Sequence, residues 1–133
     1  MIINAAILWE QGQPLSVEPA ELEPPRAGEV LVEVKVAGVC QSDLHPARGD
    51  WSMRTPLVLG HEGAGIVREV GGGVTKVQPG DHVVLCWAPP CGVCSPCRSG
   101  HFVLCDRLPK TTYRNRLPAG GTRLKARSQD LYH

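Results

Sequence analysis

Four thiols stand within fifteen residues: Cys91, Cys94, Cys97 and Cys105, separated by two, two and seven residues. The short gaps keep neighbouring sulfurs on one side of a tight turn, and the longer gap lets the chain fold back. Four sulfurs can then converge on the corners of a tetrahedron, the geometry of a closed structural zinc site. Gly92, Pro96 and Gly100 supply the turns such a knuckle needs. The competing reading is two disulfides, or thiols that never meet. Met1-Ile2-Ile3-Asn4 lacks the basic start and long apolar stretch of a secretory leader. A reducing cytoplasm is therefore the expected location, and the spacing suits a metal better than a disulfide framework. His101 lies inside the loop as a substitute ligand, but four cysteines already fill a tetrahedron.

A second set of donors is more dispersed. Cys40 follows the valine-rich stretch Val30 to Val39, and His61 follows Pro56-Leu57-Val58-Leu59-Gly60. A thiolate and an imidazole brought together from two strand ends would make two ligands of an open zinc site, where a metal polarises a hydroxyl. Asp43 and Glu62 are placed to support them, because a ligating histidine normally donates its other N–H to a carboxylate. Ser42 and His45 add a hydroxyl and a titratable base for moving a proton to water. On spacing alone the pair is weak evidence. An isolated cysteine is more often a small buried hydrophobe, and an isolated histidine a hydrogen-bonded core residue.

The elements that must position these groups read as short strands. Ile2 to Trp9 and Leu15 to Pro19 flank Gln11-Gly12-Gln13-Pro14 and predict an antiparallel hairpin. Val30 to Val39 alternates, with Val30, Val32, Val34 and Val36 on one face and Glu33 and Lys35 on the other, predicting a half-buried strand that delivers Cys40. Gln41 to Pro46 predicts a polar turn or single helical turn. Ile66 to Val70 and His82 to Trp87 complete the strands, the last entering the cysteine lobe. The glycines from Gly63 to Gly73 do not form a phosphate loop: no G-x-G-x-x-G occurs, and neither run lies between a strand and a helix.

Composition sets the outer limits. The chain has 133 residues, 15 glycines, 12 prolines and 5% aromatics, a mixture favouring many short strands over a helical bundle. Its longest apolar runs are far too short to span a bilayer, so no membrane association is expected. A formal charge of +1 argues against a nucleic-acid partner, although Arg107 to Arg127 holds seven basic residues and no acidic one. Interleaved aromatics are sparse there, and residues 107–133 read as a basic, partly irregular, solvated end.

Taken together, Gly38-Val39-Cys40-Gln41-Ser42-Asp43-Leu44-His45, then Gly60-His61-Glu62-Gly63-Ala64-Gly65 with Gly71 and Val74, then the cysteine lobe, resemble the zinc-containing alcohol dehydrogenase family of medium-chain dehydrogenases. The resemblance runs from about Ala5 to the end of the chain. It implies a mainly β fold, a GroES-like antiparallel β barrel over residues 1–133 with a four-cysteine zinc lobe at 91–105. By the same resemblance Cys40 and His61 match catalytic zinc ligands, and Glu62 the adjacent acid that can approach the metal. Asp43 matches the carboxylate behind the histidine, Ser42 the hydroxyl that meets the substrate alcohol, and His45 the outer member of the proton relay. Cys91, Cys94, Cys97 and Cys105 match structural zinc ligands. Trp51 and Trp87 match positions lining the substrate pocket, where bulky rings favour slim primary alcohols or aldehydes. Cys86 matches no ligand and is expected to be a buried thiol.

The resemblance also implies parts outside these residues. The family's third catalytic ligand, a cysteine, and its NAD(P)-binding Rossmann domain both lie beyond residue 133. Gln41 stands where several members carry a basic residue near the cofactor phosphates. The expected parent activity is oxidation of an alcohol to an aldehyde or ketone by hydride transfer, in a homo-oligomeric enzyme, with the 133-residue chain inactive alone and no cofactor-binding residues within it. A non-enzymatic metal-binding module using only the four-cysteine lobe is the alternative.

Overall fold

Alternation of side chains builds the first hairpin. The computed structural model describes residues 1–133, in which β1 (Ile2–Leu8) runs antiparallel to β2 (Ser16–Leu22), with Ile2 opposite Glu21 and Ile7 opposite Ser16. Ala5, Ile7 and Ala20 point inward and are buried. The free edge of β1 takes β4 (Leu57–Val58), and the free edge of β2 takes β7 (Leu124–Ala126), which turns back into β8 (Gln129–Leu131). The ring then nearly closes. Leu57 bridges Tyr132, the Val58 N–H donates to the Tyr132 carbonyl at 2.8 Å, and the Tyr132 N–H donates to the Pro56 carbonyl at 2.9 Å. Five strands thus form an antiparallel barrel that leaves little unpaired edge. Its core is Ala5, Ile7, Ala20, Ala126 and Leu131. Alanine at three of these five positions suits an interior too narrow for more large side chains.

A second sheet holds the candidate ligands. It comprises β3 (Val30–Ala37), β5 (Gly63–Val70) and β6 (His82–Val84), antiparallel throughout. Gly65 permits the tight pairing, since a Cβ there would collide with the Glu33 carbonyl. The strand forms as expected, but its pairing with β5 shifts register between Leu31 and Val32 and between Val34 and Val36, and its burial differs. Val30 and Val32 are half-buried, whereas Val34 is 50% and Val36 68% exposed. Packing covers only the end of the sheet near fully buried Val67, and no element of residues 1–133 covers the other end.

The basic end is more ordered than its composition suggests. Two 3-10 turns, Leu108–Lys110 and Thr112–Arg114, lead to the β7–β8 hairpin, whose Arg127 and Ser128 adopt φ of 49° and 61°. Two successive left-handed residues are the requirement of a type I′ turn, here met without the usual Asn-Gly. Arg123, Lys125 and Arg127 pair with Glu29, Glu23 and Glu18 at 2.6, 3.0 and 2.6 Å. This half of the segment is stitched to the barrel, and the solvated reading holds for exposed Arg114 and Arg116.

Candidate metal sites and the cleft beside them

The four sulfurs of Cys91, Cys94, Cys97 and Cys105 lie within 4.8 Å of one another. Cys94 Sγ and Cys105 Sγ are 3.9 Å apart. A disulfide requires about 2.05 Å. Bonds of about 2.3 Å from one zinc to tetrahedral sulfurs set their separation at about 3.8 Å, so the donor set fits zinc and not a bridge. All six cysteines are free thiols. Local structure aligns them: Cys94 precedes α2 (Ser95–Arg98), which carries Cys97, and the N–H groups of Cys91 and Cys94 donate to Cys105 Sγ at 3.3 Å and Cys91 Sγ at 3.4 Å. Donation from Val93 and Cys94 amides lowers the Cys91 thiol to about 6, while burial and then the adjacent Cys94 raise Cys97 to about 12. Four thiolates therefore coexist here only when a cation shares their charge.

Cys40, His61 and Glu62 form the second group, again with donor atoms within 4.8 Å. Cys40, extended at φ −91° and ψ 149°, caps a 3-10 turn over Gln41–Asp43 that continues into α1 (Leu44–Arg48). One carboxylate aligns both ligands. Asp43 Oδ2 accepts the Cys40 N–H at 3.1 Å, and Oδ1 lies 3.1 Å from His61 Nδ1. With Nδ1–H given to Asp43, the Nε2 lone pair is directed toward the open side. Glu62 fits because Gly38 has no side chain; a Cβ there would run into its carboxylate. The Ser42 hydroxyl holds the Cys40 thiol below its ordinary value, with help from His61. Burial pulls the His61 imidazole down, but its bond to Cys40 and the charge of Asp43 outweigh that and leave it raised.

Ser42 Oγ lies 3.2 Å from Cys40 Sγ and 3.4 Å from His61 Nε2, at the donor set itself. His45 is further out, its Nδ1 3.1 Å from Asp50 Oδ2 and its ring stacked on Trp51 at 4.5 Å. Ser42 and His45 share no direct hydrogen bond. A cleft of about 470 Å³ joins Ser42, Asp43, Trp51, Met53, His61 and Trp87. Trp51 and Trp87 are 51% and 52% exposed, so their rings are walls rather than core. Cys86 is exposed, contrary to expectation, because β6 ends at Val84 and the chain leaves the sheet before it.

Gln11 escaped the sequence reading. From the β1–β2 turn its Nε2 donates to the carbonyls of Pro46 (3.0 Å) and Trp51 (2.6 Å), its Oε1 accepts the Met53 N–H at 3.4 Å, and the Gly12 N–H donates to the Ala47 carbonyl at 2.8 Å. No local signal marks a contact that spans 35 to 42 residues. Gln11→Ala should loosen the loop bearing His45 and Trp51 by about 1–2 kcal/mol, read as a loss of roughly tenfold in amide-exchange protection at Met53 without global unfolding.

These geometries accompany a clear family match. Residues 26–125 match the alcohol dehydrogenase GroES-like domain. The chain belongs to that family. Within the zinc-type medium-chain alcohol dehydrogenases, it is 47% identical over its whole length to an S-(hydroxymethyl)glutathione dehydrogenase of Aspergillus oryzae, covering 35% of that protein. It is 51% identical over 80% of its length to an NDMA-dependent alcohol dehydrogenase of Amycolatopsis methanolica, covering 29% of it. The crystal structure of an alcohol dehydrogenase zinc-binding domain protein from Burkholderia ambifaria superposes with a TM-score of 0.89 at 36% identity, over 99% of this chain and 36% of that one. The GroES-like domain described here thus spans about a third of the length of these relatives. No helix in it is long and apolar enough to cross a membrane.

Proposed function

We propose that this GroES-like domain is the metal-bearing part of a zinc-dependent alcohol dehydrogenase oxidising a primary alcohol or its like, with NAD(P) held by regions outside residues 1–133. The observation that carries the reading is the Asp43 carboxylate, which holds Cys40 through its backbone and His61 through its ring, beside a cleft that His61 and Ser42 line with two tryptophans. Cys40 and His61 would hold the catalytic zinc with Glu62 as a third donor, and the four-cysteine lobe would hold a structural one. A zinc there supplies Lewis acidity that lowers the pKa of a hydroxyl. Ser42 would meet the substrate hydroxyl and receive its proton, and His45, steadied by Asp50, would take the proton toward solvent. Trp51 and Trp87 exclude water and restrict the width of what enters.

Metal stoichiometry tests the assignment. One zinc should survive dialysis against a moderate chelator and a second should be weaker, because Cys40 and His61 have only an exposed carboxylate beside them. His61→Ala or Cys40→Ser should remove the second zinc and leave the first. If both variants bind metal as the unaltered chain does, the catalytic assignment is wrong. A single zinc confined to the lobe, with no effect of His61→Ala, would favour a non-enzymatic metal-binding module. With ethanol and NAD the 133-residue chain alone should show no turnover, since no residue in it is assigned to the cofactor.

A further inference from the structure

Residues 49–55 belong to no helix or strand, yet Trp51 and Met53 among them wall the cleft. The segment has few ties of its own. The N–H groups of Gly49, Asp50 and Trp51 donate back to the Pro46 and His45 carbonyls of α1, and Asp50 meets the His45 ring. Arg54 adds a stacking contact with Tyr132 at 4.7 Å. Every hydrogen bond that joins these residues to an element other than α1 goes to one side chain, Gln11. It receives the Met53 N–H and donates to the Trp51 carbonyl, so it grips the backbone of both cleft walls.

A primary amide suits this place by its pattern of donors and acceptor. Its two N–H groups meet two carbonyls, those of Pro46 and Trp51, and its oxygen meets an N–H. Turned over, the amide would set oxygen against two carbonyl oxygens. Gln11 is itself held in a tight turn, where the Gln13 N–H donates to the Glu10 carbonyl at 3.2 Å and Gly12 takes φ of 81°. The anchor is therefore part of the β1–β2 hairpin and of the barrel. Cys40 and His61 instead flank β3 and β5 of the second sheet. One wall of the cleft is thus fastened to the barrel and the ligand set to the sheet, while Gln11 itself does not line the cleft.

We infer that Gln11 is a positioning residue that sets the width of the cleft: it touches no substrate, but holds Trp51 and Met53 in place so that slim primary alcohols enter and broad ones do not. The inference rests on the reading of the cleft as an alcohol site and adds which residue, outside the cleft, enforces its selectivity. With Gln11 cut back, residues 49–55 are tied only through α1 and the Arg54 stack. An exposed segment with so few hydrogen bonds opens at low cost, and the Trp51 wall then yields to a broader ligand.

The test follows amide and indole shifts of the zinc-loaded 133-residue chain during titration with two primary alcohols of unequal breadth, 1-butanol and cyclohexylmethanol. Their hydroxyl chemistry is the same, so the ratio of their affinities reads width. We expect the unaltered chain to favour 1-butanol by about tenfold, and Gln11→Ala to bring the two near parity. Gln11→Glu keeps nearly the same shape without the N–H donors and should act like Gln11→Ala. Arg123→Ala lowers stability but leaves the hydrogen bonds of the turn intact, and it should keep the ratio of the unaltered chain. His61→Ala separates the inference from the reading beneath it. A width preference that needs Gln11 but is indifferent to zinc supports the role of Gln11 and counts against the alcohol reading only. A zinc-dependent shift by 1-butanol with no width preference keeps the alcohol reading and overturns the inference. Binding of neither alcohol, an unchanged ratio in Gln11→Ala or Gln11→Glu, or an equal change in Arg123→Ala overturns it too.

Discussion

Cys97→Ser should lower the melting temperature of the zinc-loaded chain by at least about 10 °C and release one equivalent of zinc. The expectation follows from burial. Cys97 is 4% and Cys105 2% exposed, and with Ala88 and Leu108 they make up the small core beneath the lobe. Around them Val93, Phe102, Val103 and Leu104 are mostly in solvent, so little apolar burial remains to hold residues 91–105 once the metal leaves. The unfolding should therefore be local: far-ultraviolet signal from the barrel strands persists while the lobe becomes protease-sensitive. Chelation at neutral pH should reproduce the effect and added zinc reverse it. An unchanged melting temperature in the Cys97 variant would mean that the four thiols do not act through a shared cation.

Arg123→Ala is expected to cost about 3 kcal/mol, or roughly 10 °C for a domain of this size. Its guanidinium donates to both carboxylate oxygens of Glu29 at 2.9 and 2.6 Å, with side chains only 9% and 13% exposed, and it ties β7 to the turn before β3. Removing one partner strands a buried charge. Glu29→Leu/Arg123→Met should consequently cost less than either single change. The pair also carries a pH signature. The Arg123 guanidinium holds the Glu29 carboxyl below its ordinary 4.5. A depressed carboxylate contributes stability that is fully present above the unfolded value and is lost as pH falls through the folded one. The gap in stability between unaltered chain and Glu29→Gln should thus be constant near neutrality and shrink below about pH 4.5. A gap independent of pH down to 2 would show that Glu29 acts by shape and not by charge.

Legibility in the sequence followed the reach of each interaction. The cysteine lobe could be read because its ligands fall within one turn-rich stretch, so spacing alone implies convergence. Cys40 and His61 could be proposed but not joined, since their meeting depends on β3 pairing with β5, and spacing does not specify register. Family motifs supplied that link. The β7–β8 hairpin was invisible because Arg127 and Ser128 do not advertise a type I′ turn, and because three basic side chains that look solvated are each neutralised by a glutamate at least 94 positions away. Gln11 went unseen for the same reason, its partners lying 35 to 42 residues away. The exposed Val34 and Val36 mark the opposite limit: a perfect alternation shows which face is apolar and not whether anything lies against it.

Closure of the barrel through Tyr132 has a consequence for biogenesis. Glu21 must wait for Lys125, and Pro56 and Val58 for Tyr132, before the five strands can encircle their interior. The cysteine knuckle and its small core need only residues 88–108, so it can capture a cation while the ring is still open. A released chain of residues 1–116 should then already bind one zinc yet lack the protease resistance that arrives with β7 and β8.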